Sequence, residues 1–228
     1  MKIFRDLALL DSLLKGGLVV SCQPTEQGPL DHDEIVARLA QAALAGGACG
    51  VRIEGAARLA HVRPKIAAPI IGIVKRDLDD SPVRITPWLS DVQELLAAGA
   101  DVIAVDATLR ERPVPVAELL SAIHAGGALA MADCSGLEDA LAAAALGFEV
   151  IGTTLSGYTG GETPKEPDYE LVAALAARLP RVMAEGRYNH PEQAARAVQL
   201  GAWAVTVGTA ITRTESVASW FSSALDRF

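Results

Sequence analysis

What most constrains this chain is a unit that recurs along its length. A short β-branched apolar run ends on a polar residue or glycine, a loop follows, and an Ala/Leu-rich amphipathic segment comes next, often closed by Gly. Eight such runs are legible: Gly17–Cys22, Gly50–Ile53, Ile70–Lys75, Val102–Asp106, Ala128–Asp133, Glu149–Thr153, Arg181–Glu185 and Ala204–Gly208. Each is apolar on both faces, as a parallel strand between two packed layers must be. Between them lie segments of helical period, among them Asp33–Ala45, Trp88–Ala98, Val116–Ala125, Leu137–Leu146, Asp168–Leu179 and Pro191–Leu200. The stretches ALAGGA, LAAGAD, IHAGGA, AALGFE and VQLGAW place glycine where a helix must stop. Strict alternation implies parallel strands and right-handed crossovers. Eight units in 228 residues then predict one (β/α)8 TIM barrel over residues 1–228. Extra helices are expected at the N-terminus (about Phe4–Leu14) and the C-terminus (about Ser216–Arg227). The alternative, an open doubly wound sheet, usually carries a GxGxxG first turn, whereas the turn here reads Ser21-Cys22-Gln23-Pro24. No linker or second domain is visible.

Bulk properties exclude several classes. A net charge of −8 disfavours a nucleic-acid partner, which would need clustered Lys and Arg, but leaves room for a small anion in a local basic pocket. The start, MKIFRDLALLDSLLKGG, is interrupted by charge and lacks the pattern of a signal peptide. No run of about eighteen apolar residues exists, so no membrane span is expected. Cys22, Cys49 and Cys134 are odd in number and scattered, which suits reduced thiols in a cytoplasmic protein. His32, His61 and His124 fall away from the strand ends and His190 stands at a helix start, so no metal site is expected.

In such a barrel the C-terminal strand ends face the substrate. Read in order they are Gln23, Arg52, Lys75, Asp106, Asp133, Thr153, Glu185 and Gly208. A ring of polar groups closing apolar runs points to a site. Lys75 ends IIGIVK; in a water-poor pocket among cations its pKa falls and it can act as a general base or form a Schiff base. The plain alternative is an ion pair with Asp77. Glu185, ending RVMAE, is either a second proton-transfer group or an ion-pair partner of Lys75 or Arg187. Asp133 and Asp106 either serve the site or cap the following helices. The loops after the seventh and eighth strands, Glu185-Gly186-Arg187 and Gly208 to Arg213, have the composition of a phosphate cup: glycines that let backbone N–H groups approach an anion, and an arginine. The plain reading is that those glycines only permit tight turns. The Gly-rich stretch Gly157–Thr163 suits either a mobile lid or a surface loop.

The ordered set GGLVVSCQP, GVRIEG, IIGIVKRD, SPVRITP, DVIAVDAT, MADCSG, IGTTLSGYTG, AEGRYNHPEQA and VTVGTAITR resembles the N-acetylmannosamine-6-phosphate 2-epimerases, barrels of sialic acid and amino-sugar catabolism. The resemblance covers nearly the whole chain. It implies interconversion of N-acetylmannosamine 6-phosphate and N-acetylglucosamine 6-phosphate without a cofactor, so that the partner is a phosphorylated N-acetyl amino sugar. It places the catalytic pair on Lys75 and Glu185, substrate-contacting or supporting roles on Gln23, Arg52, Asp133 and Arg213, and the phosphate cup on Gly186, Gly208 and Thr209 with Arg213. Arg84 and Leu78-Asp79 depart from the family's usual residues. The apolar C-terminal stripe Val217, Trp220, Phe221, Leu225 and Phe228 either closes the barrel's own helix layer or exchanges or packs across a homodimer, an arrangement compatible with the resemblance.

Overall fold

The structure, a computed structural model, describes residues 4–225. Eight parallel strands close into a barrel in sequence order: β1 (Leu18–Ser21), β2 (Gly50–Glu54), β3 (Ile70–Ile73), β4 (Val102–Asp106), β5 (Leu129–Asp133), β6 (Val150–Gly152), β7 (Val182–Glu185) and β8 (Ala204–Val207). The ring is completed by β8 on β1, with Leu18 opposite Val205. The expected (β/α)8 barrel is therefore the observed fold.

Helices alternate with the strands: α1 (Leu7–Leu14), α2 (Asp33–Ala45), α3 (Ala56–Val62), α4 (Leu89–Ala98), α5 (Val116–Ala125), α6 (Leu137–Leu146), α7 (Tyr169–Ala176), α8 (Pro191–Gln199), α9 (Thr209–Thr212) and α10 (Thr214–Leu225). Glycine ends α4 and α6 as expected: Gly99 and Gly147 adopt φ of 90° and 108°, a left-handed conformation that costs other residues steric strain. His190 is the residue before α8, and Gln193 Oε1 accepts its N–H at 3.1 Å. The C-terminal helix begins at Thr214, two residues earlier than expected, and its last expected residues lie outside the described range.

Strand alternation sorts the core into two layers. One face of each strand packs outward on the helices, as Val51, Ile53, Ile103, Val105 and Ala130 do. The other face fills the barrel with Val19, Ile71, Val102, Met131 and Met183. The N-terminal segment closes the bottom. Phe4 is buried there, its N–H donates to Asp101 Oδ1 at 2.6 Å, and Arg63 grips Asp101 Oδ2 at 2.7 Å. Asp101 Oδ2 also accepts from Ile70 N at 2.9 Å. The N-terminal segment and a buried ion pair thus tie the bottom, and the open end is the one where the strands finish.

Candidate active site

At that open end the inward residues change from apolar to polar. Arg52 on β2 lies across the barrel interior and donates to Asp133 on β5 twice, Nη1 to Oδ1 at 3.1 Å and Nη2 to Oδ2 at 2.6 Å. Its Nη1 also donates to Glu185 Oε2 on β7 at 3.0 Å. Thr154 Oγ1 donates to Asp133 Oδ1 at 2.6 Å and lies 3.4 Å from Glu185 Oε2. Burial alone would weaken the charge on Arg52, but Asp133 and Glu185 more than offset it, so the guanidinium stays firmly cationic. Its Nε is left without an acceptor.

Above this network opens a cavity of about 560 Å³, whose wall includes Gln23, Arg52, Lys75, Glu185, Gly208 and Arg213. Lys75 follows the last residues of β3 and is held by an antiparallel bridge to Ile85, in a hairpin that folds back over the mouth. Strand 3 therefore ends at Ile73, earlier than expected, because Val74 and Lys75 bond to the returning chain: Thr86 N donates to Val74 O at 2.7 Å. In a closed ring of eight, β3 and β7 are four strands apart, so Lys75 and Glu185 enter the cavity from opposite sides.

The surroundings move their pKa values toward one another. Desolvation lowers that of Lys75, and the neighbouring cations Arg52, Arg213 and Arg84 add to this against the pull of Glu54. Desolvation raises that of Glu185, with Asp133 adding, against Arg52, Lys75 and the Thr154 hydrogen bond. Opposed shifts of this kind are what a pair exchanging protons near neutrality requires.

The plain ion-pair readings do not describe these two residues. Asp77 pairs with Arg84, at 2.5 Å, and not with Lys75. Arg187 binds the backbone carbonyls of Glu166, at 2.7 Å, and Ser156, and lies 5.3 Å over the Tyr158 ring. Gly157–Thr163 thereby brings Tyr158 to the cavity wall. Asp133 caps no helix: α6 starts after Gly136 without a side-chain cap, and Asp139 in its first turn accepts from Ser135 N at 2.9 Å. Asp133 is wholly buried behind Arg52 and stands away from the open cavity. Asp106 is committed to its own turn, accepting from Thr108 N at 3.1 Å and Arg110 Nη2 at 2.6 Å.

Gly186 and Gly208 line the end of the cavity next to Arg213. Gly186 has φ 113° and Arg187 φ 64°, so the loop after β7 turns through the left-handed region twice in succession. Arg213 Nε donates to Gln23 O at 3.0 Å, which ties the loop after β8 to the one after β1. Gln23 Nε2 in turn donates to Ser21 Oγ at 2.6 Å. Within the described residues no acceptor is present for the amides of Gly186, Gly208 or Thr209.

The cavity wall also includes residues that the sequence does not mark as part of the site, among them Ser21, Arg110, Thr154, Asn189 and Thr206, and it includes Trp220 of the C-terminal stripe. Thr153, expected at the ring, instead clasps β7, accepting from Glu185 N at 3.0 Å and donating to Glu185 O at 2.9 Å. Period-two alternation from Val150 through Gly152 would have pointed to Thr154. Among the described residues no group of His, Cys, Asp and Glu is arranged to hold a metal ion.

Comparison with known proteins identifies the family. A family profile described as "Putative N-acetylmannosamine-6-phosphate epimerase" matches residues 36–227. A Proteus mirabilis protein named "Putative N-acetylmannosamine-6-phosphate 2-epimerase" is 61% identical over 211 residues, covering 92% of this chain and 91% of that one. A Klebsiella pneumoniae protein of the same name is 59% identical over 221 residues, covering 96% and 94%. The solved N-acetylmannosamine-6-phosphate 2-epimerase from Clostridium perfringens superposes with a TM-score of 0.91 at 42% identity, over 94% of this chain and 96% of that one. A thiamine phosphate pyrophosphorylase from Pyrococcus furiosus shares the fold alone, at 18% identity and a TM-score of 0.63. The chain belongs to the N-acetylmannosamine-6-phosphate 2-epimerase family.

Proposed function

We propose that this protein interconverts N-acetylmannosamine 6-phosphate and N-acetylglucosamine 6-phosphate by removing and returning the proton at C2, as an isomerase of sialic acid and amino-sugar catabolism that needs no cofactor. The observation that carries the mechanism is the placement of Lys75 and Glu185 on opposite walls of one cavity. In the open-chain sugar C2 adjoins the C1 aldehyde, so loss of its proton gives an enolate. Inversion needs removal on one face and return on the other, which two groups on facing walls supply. In the forward direction Lys75 is the base and Glu185 the acid; reversal exchanges the roles.

Arg52 stabilises the oxygen that becomes negative, and its unoccupied Nε is the donor for it. Asp133 and Thr154 hold Arg52 and Glu185 in place from behind. The unpartnered amides of Gly186, Gly208 and Thr209, with Arg213, take the phosphate. Anchoring that group fixes the reacting carbon between the two proton-transfer residues. Gln23, on the cavity wall and tied through its carbonyl to Arg213, orients the sugar chain. Incubation with N-acetylmannosamine 6-phosphate, followed by NMR, is the direct test: the C2 epimer is expected to appear, and an unchanged substrate would remove the proposal.

A homodimer reading draws its support from α10. None of its described residues is buried, its main neighbour is α9, and it exposes Phe221 (71%) and Leu225 (72%). The outer wall that a helix after β8 would cover in such a barrel holds an apolar groove of about 390 Å³, lined by Leu18, Ala194, Val198, Val207, Ala210 and Ile211. An uncovered apolar helix and an unfilled apolar groove on one chain fit a homodimer in which each protomer's α10 seats on its partner's barrel. No described helix is long and apolar enough to cross a membrane, and Cys22, Cys49 and Cys134 are free thiols; a cytoplasmic location suits both.

A further inference from the structure

One polar group on the cavity floor has no part in the proton transfer or the phosphate cup. Thr206 on β8 is 2% exposed and lines the cavity. Its neighbours Val205 and Val207 turn outward into the core beneath α8, so alternation turns Thr206 inward. Its Oγ1 is buried with no hydrogen-bond partner. The hydroxyls around it are engaged: Ser21 Oγ accepts from Gln23 at 2.6 Å, and Thr212 Oγ1 donates to Ser21 O at 2.9 Å.

A buried hydroxyl without a partner is unfavourable, and valine would fill the same space without that cost. Groups of this kind are retained where a ligand completes them. The position of Thr206 defines which part of a ligand that is. It is in register with Glu185 on β7 and precedes Gly208, the residue after the end of β8, by two positions, about 6–7 Å of chain. A molecule with its reacting carbon at Glu185 and its phosphate at Gly208 passes its middle carbons over Thr206.

We propose that Thr206 is a substrate-binding residue whose Oγ1 hydrogen-bonds a hydroxyl of the polyhydroxylated chain between the reacting carbon and the phosphate. The inference rests on the reading of the cavity given above. A threonine hydroxyl both donates and accepts, as a sugar hydroxyl does, so the two match in either orientation. Fixing the middle of an open chain restrains torsions that the phosphate anchor leaves free.

The test uses the full-length T206V and T206S variants, with kcat/KM and thermal melting measured on the same preparations. T206V keeps the branched shape and removes only the hydroxyl. Its kcat/KM is expected to fall about tenfold or more, with no loss of melting temperature, and T206S is expected to recover most of the activity. Unchanged kcat/KM in T206V would overturn the proposal. So would a fall in melting temperature that accompanies the lost activity, because the hydroxyl would then serve the fold, or a T206S variant as impaired as T206V. Proton exchange at C2 in K75A reports separately on the cavity: normal exchange there means that the reading of the site has failed. Lost exchange in K75A together with an unimpaired T206V means that the Thr206 inference alone has failed.

Discussion

Arg52 holds Asp133 by two hydrogen bonds, at 3.1 and 2.6 Å, with the arginine 1% exposed and the aspartate fully buried. Removing one member of such a pair leaves the other charged group buried without compensation, which costs about 3–5 kcal/mol. R52A is therefore expected to lower unfolding stability by about that amount in urea titrations, beyond its effect on turnover. A midpoint equal to that of the native protein would show that Asp133 finds another partner.

The opposed shifts of Lys75 and Glu185 set the pH dependence. The pair works when it holds one proton in total. Activity is lost at low pH as Glu185 and Lys75 both become protonated, and at high pH as both lose their protons. Because burial raises Glu185 and lowers Lys75, the acid limb of kcat/KM should lie above the ordinary glutamate value and the alkaline limb below the ordinary lysine value. A profile bounded by the unshifted values of both side chains would contradict this.

Gly186 carries φ 113°, and a Cβ built there meets nothing closer than 3.8 Å. Space is available, so the penalty for alanine is conformational, about 1–2 kcal/mol. The loop is expected to relax away from the anion. G186A should raise KM and weaken inhibition by inorganic phosphate, with a smaller effect on kcat. Equal phosphate inhibition in both proteins would remove Gly186 from the cup.

The homodimer makes its own prediction. In sedimentation velocity the native chain should run as a dimer, and the F221E/L225E variant, which places charge on the exposed face of α10, should run as a monomer. A native monomer would leave the groove beside Ile211 as an open feature of the barrel wall.

The strand–helix rhythm was legible because buried parallel strands and glycine-stopped helices impose it locally. Less local features were not. Helix α3 is short and carries Arg58 and His61, so its period is hard to see beside the longer helices. The end of β3 depends on a hairpin whose returning residue, Ile85, is identified only by pairing with Lys75. Of the site, Lys75, Glu185 and Arg52 could be found at the ends of apolar runs, and Arg213 as the arginine of the loop after the eighth run. Their contacts could not: Arg52 meets Asp133 across 81 residues, and Arg213 meets the Gln23 carbonyl across 190. The last polar residue of the sixth run points to Thr153, whereas alternation from Val150 turns Thr154 to the interior.

The central claim is that Lys75 moves the C2 proton. The most direct measurement is deuterium incorporation at C2 of N-acetylmannosamine 6-phosphate in D₂O, followed by NMR for the native protein and for K75A. The native protein is expected to wash deuterium into C2 as it forms the epimer, and K75A to incorporate none above background. Incorporation by K75A at the native rate would contradict the account.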